Sequence, residues 1–271
     1  MGQFTRVAAI MVTSVMVLSA CGKDNISTPM KAQGESKANA ITKVFGPHEH
    51  VNQKPTPIKI NRISEHEVNV EMTAQITDIN ITEGDVYKAW TFNGEAPGPV
   101  VVVNQGDKIN FKLTNMDPAI PHSMDMHAVH AAPSEDFANV MPDKTGSFTY
   151  NADNPGVFMY HCGTKPVLTH IANGMHGMII VKPKAGYPTD NQVDREYVVI
   201  QNEWYKYNDM EDFTNGTPKY VVLSTKALKE GDPNTNGTVG AMVNHPLLAK
   251  VGDKVRFYVL NVGPMKSAAS M

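Results

Sequence analysis

From about residue 59 the chain reads as short apolar or alternating runs, each closed by a turn signal. The runs are Ile58-Lys59-Ile60, Glu67 to Ala74, Val86 to Phe92, Val100 to Val103, Ile109 to Leu113, Gly146 to Tyr150, Val157 to His161 and Gly177 to Val181. Asn93-Gly94, Asn104-Gln105-Gly106-Asp107 and Asn154-Pro155-Gly156 punctuate them, with residues that favour turns for steric and hydrogen-bonding reasons. Short strands at regular spacing predict an all-β chain, a sandwich or barrel. A second series opens at Arg195 to Ile200. Within it Gly252-Asp253-Lys254, an alternating strand and Asn261 echo Gly106-Asp107-Lys108, its strand and Asn115. That is the signature of one fold used twice. The first copy runs roughly 70 residues beyond this point and the second only ten. The expected organisation is therefore one complete domain over 59–185 and a second, C-terminally incomplete one over 186–271.

The two ends of the pattern differ. Residues 22–58 are polar, with Pro29, Gly34, Pro47, Pro55 and Pro57 and no sustained period, as in a flexible tether. Residues 1–21 hold a short apolar run after Arg6 and end in Leu18-Ser19-Ala20-Cys21. The run is too short to span a bilayer and reads as an export signal. A small residue before a cysteine at its end resembles a bacterial lipoprotein cleavage site. The expectation is an exported chain, in the periplasm or on the outer surface, lipid-anchored to the membrane at Cys21. A net charge of −3 with few charged runs gives no reason to expect a nucleic-acid partner.

Of the two cysteines, Cys162 is then left without a disulfide partner. A lone thiol in an exported protein needs a purpose, and metal ligation is one. His170 follows eight residues on and Met175 five further, with His122 upstream. One thiolate, two imidazoles and a thioether suit a blue-copper electron-transfer site, whereas structural zinc prefers sets without Met. Taken singly these residues mean little: the chain has 16 methionines, and a lone histidine is usually a hydrogen-bonded core residue. The combined spacing is far more specific.

Strand alternation divides the ligands. His161 and Cys162 are neighbours, so in extended chain they point to opposite faces. His122 and His127 also diverge at an odd offset. The economical assignment is an inner site of His122, Cys162, His170 and Met175 and an outer site taking His127 and His161. The peptide joining His161 to Cys162 would be a short through-bond path for an electron. His48 and His50 lie in the tether and read as solvated; His66, His130 and His176 have no supporting pattern.

Four segments carry a resemblance to a known family. They are His122-Ser123-Met124-Asp125-Met126-His127, Tyr160-His161-Cys162-Gly163-Thr164, His170 to Met178, and Asn236 to Pro246 around Asn244-His245. The chain resembles, over roughly residues 60–271, the copper-containing, nitric-oxide-forming nitrite reductases. The resemblance implies two cupredoxin-like Greek-key β-sandwich domains per chain, a homotrimer, and an electron-donor protein of the cytochrome c or cupredoxin type. It implies a type 1 copper on His122, Cys162, His170 and Met175, and a type 2 copper on His127 and His161, with nitrite as substrate. Asp125 would hydrogen-bond the nitrite, and His245 would work with it in catalysis. In the family a third type 2 histidine comes from the second domain of a neighbouring subunit. Here its position, after Asn261-Val262-Gly263-Pro264, falls at about Met271, so the expectation is a weakly held outer copper and little turnover by this chain. An electron carrier with only the type 1 copper filled is the alternative. A laccase-like multicopper oxidase fits poorly, because Gly163 stands where a His-Cys-His stretch needs its second histidine.

Overall fold

The computed structural model describes residues 58–82, 85–129, 138–206, 210–227 and 247–263. The export segment with Cys21, nearly all of the tether including His48 and His50, His130, the Asn236–Pro246 motif with His245, Pro264 and Met271 lie outside the described residues. Alternation builds the first sheet. In β2 (Glu67–Thr82) Val68, Val70, Met72 and Ala74 are buried and the residues between them are half-exposed. In β5 (Lys108–Asn115) Ile109, Phe111 and Leu113 are buried in the same way. The two run parallel, with Val68 opposite Ile109. β7 (Thr145–Asn151) pairs antiparallel with β5. β1 (Lys59–Ser64) lines the first half of β2 and β3 (Asp85–Phe92) the second, both antiparallel.

The second sheet has the order β4-β9-β8-β6, from β4 (Val101–Asn104), β9 (His176–Lys182), β8 (Gly156–His161) and β6 (Asp125–Met126). Its inner face meets the first sheet in one core holding Val70, Phe111, Leu113, Val103, Tyr160 and Ile179. Each such side chain, fully buried, stabilises the fold by about 1.5–3 kcal/mol. Its outer face is covered too. Met178 and Ile180 pack against Val198, Ile200 and Tyr258 of a third sheet, ordered β11-β10-β12 from β10 (Arg195–Trp204), β11 (Tyr220–Ala227) and β12 (Val255–Asn261). With both faces covered, β9 is a continuous apolar run and not an alternating one. Two short helices, α1 (Val167–Ala172) and α2 (Met210–Asn215), fill the connections. The described residues form one compact unit.

The internal echo is structural down to single hydrogen bonds. The Asp107 carboxylate accepts the Asn104 N–H at 2.8 Å, and Asp253 accepts the Lys250 N–H at 2.8 Å. The preceding Gly106 and Gly252 have φ of 88° and 97°, values that side chains with a Cβ rarely adopt. Each turn feeds a strand that runs parallel to a longer one, β5 along β2 and β12 along β10. Each strand ends in an asparagine whose Oδ1 accepts the N–H two residues on at 2.9 Å, Asp117 for Asn115 and Gly263 for Asn261.

All eight runs expected between residues 58 and 183 are strands. The sequence reading missed β6, which is only two residues long, both helices, β11, and the extension of β2 to Thr82. β6, of two residues, and the helices, of six each, carry too few residues to show a period.

Candidate metal centre

Two groups of donor atoms meet at the end of β8, one through His161 and the other through Cys162, the residue after it. Phe158, Tyr160 and Cys162 face the inner core, while Val157 and Met159 face the third sheet, and His161 shares their parity. Tyr160 anchors the segment. Its hydroxyl donates to the Pro99 carbonyl at 2.6 Å, and its ring lies over Gly177, its partner in the ladder. A Cβ at 177 would run into that ring, so glycine is needed there to seat Tyr160 and, two residues on, Cys162.

The inner group brings together His122, Cys162 and His170, whose donor atoms lie within 4.8 Å of one another, all fully buried. His122 Nδ1 is 3.7 Å from Cys162 Sγ. Donors bonded to one metal at 2.0–2.3 Å lie roughly 3–4 Å apart, so the set can close on an ion with small adjustments. Met175 is buried in the same core, and its carbonyl accepts the Cys162 N–H at 3.1 Å. The Ser123 N–H donates to Cys162 Sγ at 3.4 Å, and the Ser123 hydroxyl accepts from the Gly163 N–H at 3.0 Å. Trp90 stands edge-on to His170 at 4.8 Å and to His122 at 6.2 Å, shielding both from water. Burial alone would raise the Cys162 thiol pKa; His170 and His122 outweigh it and hold the thiol well below its ordinary range. The sulfur is thus poised as the thiolate that a soft metal wants.

The outer group is Asp125, His127 and His161, again within 4.8 Å. Asp125 is the cross-strand partner of His161 on β6, its carboxylate 3.7 Å from His161 Nε2. His127 is two residues further along and so returns to the same face. Its Nε2 is 3.0 Å from His161 Nε2. His161 Nδ1 lies 2.9 Å from the Cys162 carbonyl; donating there leaves Nε2 with its lone pair for an ion. Burial, then His161, push the His127 pKa down, which keeps it neutral and able to ligate. Asp125 and His127 are partly open to solvent while the inner group is sealed.

The sequence reading missed the residues behind the ligands. Asn115 donates through Nδ2 to the Ile120 and Val140 carbonyls at 2.9 and 2.8 Å, pinning the loop that carries His122. Asp117 lies 3.1 Å from His122 Nε2 and is also buried. Burial lowers His122, but Asp117 and then Cys162 raise it to about 9 in the metal-free protein. An Asn-x-Asp segment just ahead of a ligand histidine was the available signal.

Comparison with known proteins settles the family. A multicopper oxidase family model matches residues 73–186. The copper-containing nitrite reductase of Neisseria gonorrhoeae is 30% identical over 283 residues, covering 94% of this chain and 68% of that protein. The chain belongs to the copper-containing nitrite reductase family. The Neisseria meningitidis serogroup B nitrite reductase is 34% identical over 77% of this chain and 53% of its own length. The chain thus spans about half to two thirds of the curated relatives' lengths. A copper nitrite reductase structure from Nitrosomonas europaea matches with a TM-score of 0.60 at 39% identity, over 73% of this chain and 68% of that one. The sandwich is cupredoxin-like. Copper is the metal a copper-containing nitrite reductase implies, and the donor chemistry fits it: a buried thiolate with two imidazoles inside, imidazoles with a carboxylate beside them outside.

Proposed function

We propose that this chain reduces nitrite to nitric oxide, NO2− + e− + 2 H+ → NO + H2O, with type 1 copper at the inner set of His122, Cys162, His170 and Met175 and type 2 copper at the outer set with His127 and His161. One observation carries the reading: the inner thiol and an outer imidazole belong to consecutive residues, His161 at the end of β8 and Cys162 just after it, that join opposite donor groups. Copper, when bound, supplies one-electron transfer at the soft set and an open coordination position at the imidazole set. The chain's residues supply the rest. The His161–Cys162 peptide is a covalent path between the two sets. The buried inner set keeps water away from the thiolate. Asp125, at the open edge of the outer set, can hold a proton for the nitrite oxygen that leaves as water. His245 is assigned to the same proton delivery by the resemblance.

The wider reading has residues 59–185 as one cupredoxin unit and 186–271 contributing to a second. It includes assembly as a homotrimer, electrons from a cytochrome c or cupredoxin-type protein, and export with a lipid at Cys21. Cys21→Ser should release the protein from membranes; unchanged membrane association would argue against the anchor.

The central test is optical and magnetic. Copper-loaded protein should absorb strongly in the visible, and Cys162→Ala should abolish the band. Electron paramagnetic resonance with copper stoichiometry then separates filling of both sets from filling of the inner one alone. A colourless copper-loaded wild type would overturn the inner assignment.

A further inference from the structure

The repeat supplies an internal control for one residue. Asn115 and Asn261 close the same strand with the same hydrogen bond to the N–H two residues on. The residue between donates to the parallel neighbour in both copies, Met116 to Ala74 and Val262 to Gln201, each at 2.8 Å. The residue that closes the hook is Asp117 in one copy and Gly263 in the other. The hook therefore forms without a carboxylate. Burying one is costly unless something answers it, and Asp117 is fully buried.

Its two oxygens are divided. Oδ1 accepts the Ala119 and Ile120 N–H groups at 2.8 and 3.1 Å. Oδ2 lies 3.1 Å from His122 Nε2. The first pair fixes the carboxylate; the second contact leaves it facing a single partner. An imidazole that donates from Nε2 carries its proton there and turns the Nδ1 lone pair to the opposite side, where Cys162 Sγ lies. A carboxylate on the far nitrogen also makes the ring a stronger donor to a metal and favours its more highly charged state.

We propose that Asp117 is the positioning residue of the inner site, fixing the tautomer and orientation of His122 and raising its donor strength. This rests on the inner set holding copper. The first strand-end hook then does two jobs, a backbone turn through Asn115 and a ligand brace through Asp117, while the second does the first job alone.

The test uses the full chain with Asp117→Asn, which keeps an acceptor for the Ala119 and Ile120 N–H groups and removes the charge. Copper affinity should fall 10–100-fold, the range for such outer partners, and the midpoint potential of the inner site should rise. The visible band should persist with a changed position or intensity. Unchanged affinity and potential, with the wild-type band present, would overturn the proposal. Absence of the band from the wild type would instead overturn the copper reading beneath it. Should Asp117→Asn not fold, the wild type still decides. With copper(I) bound, nitrogen NMR should show His122 protonated at Nε2 and that proton slow to exchange. A proton on Nδ1, or a rapidly exchanging one, would sink the idea.

Discussion

In the first copy of the repeat, Gly106-Asp107-Lys108 leads through β5 to Asn115, and the chain runs on to Asp117 and His122. In the second, Gly252-Asp253-Lys254 leads through β12 to Asn261 and Gly263, and among the described residues that copy has no histidine or cysteine. The frames agree in turn, ladder and hook. The copies diverge where the strand is finished. Chemistry is thus carried by residues beyond the frame, and the frame does not depend on them. Variants can be sorted by which of the two they touch.

The largest expected effect falls on the chemistry alone. Asp125 sits on the outer set, away from the inner core, and its side chain is partly exposed. In a chain extended to carry the family's third type 2 histidine, Asp125→Asn should cut nitrite turnover by on the order of a hundredfold, in the range for general-acid groups. The visible band and the melting temperature should stay. Joint loss of the band and of cooperative melting would return Asp125 to a structural role and blur the division.

The frame was legible for a physical reason. Period-two burial in β2 and β5 depends only on residues next to each other in sequence, and so do the glycine turns. The split into inner and outer donors came from the same rule applied to His161 and Cys162. Residues whose role depends on distant partners were not legible. Trp90 reads as one more apolar strand residue until its ring is seen against His170 and His122. Asp117 reads as a turn residue. His176, which had no pattern, is the cross-strand partner of His161. Its Nδ1 lies 3.1 Å from the Ile171 carbonyl, and burial pushes its pKa down to about 4. His245 and Cys21 lie outside the described residues, so their roles rest on the sequence alone.

The smaller effect falls on the frame, and the two copies should not answer equally. The Asp107 carboxylate is fully buried and takes both guanidinium nitrogens of Arg62, at 2.8 and 2.5 Å. Asp253 meets Arg195 through one nitrogen at 2.8 Å and keeps some exposure. Asp107→Asn should lower unfolding stability by about 2 kcal/mol, because it strips a buried charge-assisted pair. Asp253→Asn should cost less, and neither should move the visible band of copper-loaded protein. The acid limb tests the same point. The hydrogen bonds from Arg62 hold the Asp107 carboxyl below its ordinary value of 3.8. Between the lowered value and 3.8 the unfolded chain binds the extra proton, so stability falls as pH falls through that window. Above it the contribution is fully present. Urea titrations from pH 5 downward should show a shallower acid loss for Asp107→Asn than for wild type. Equal slopes, or a larger cost at Asp253, would mean that burial of the turn carboxylate does not separate the copies.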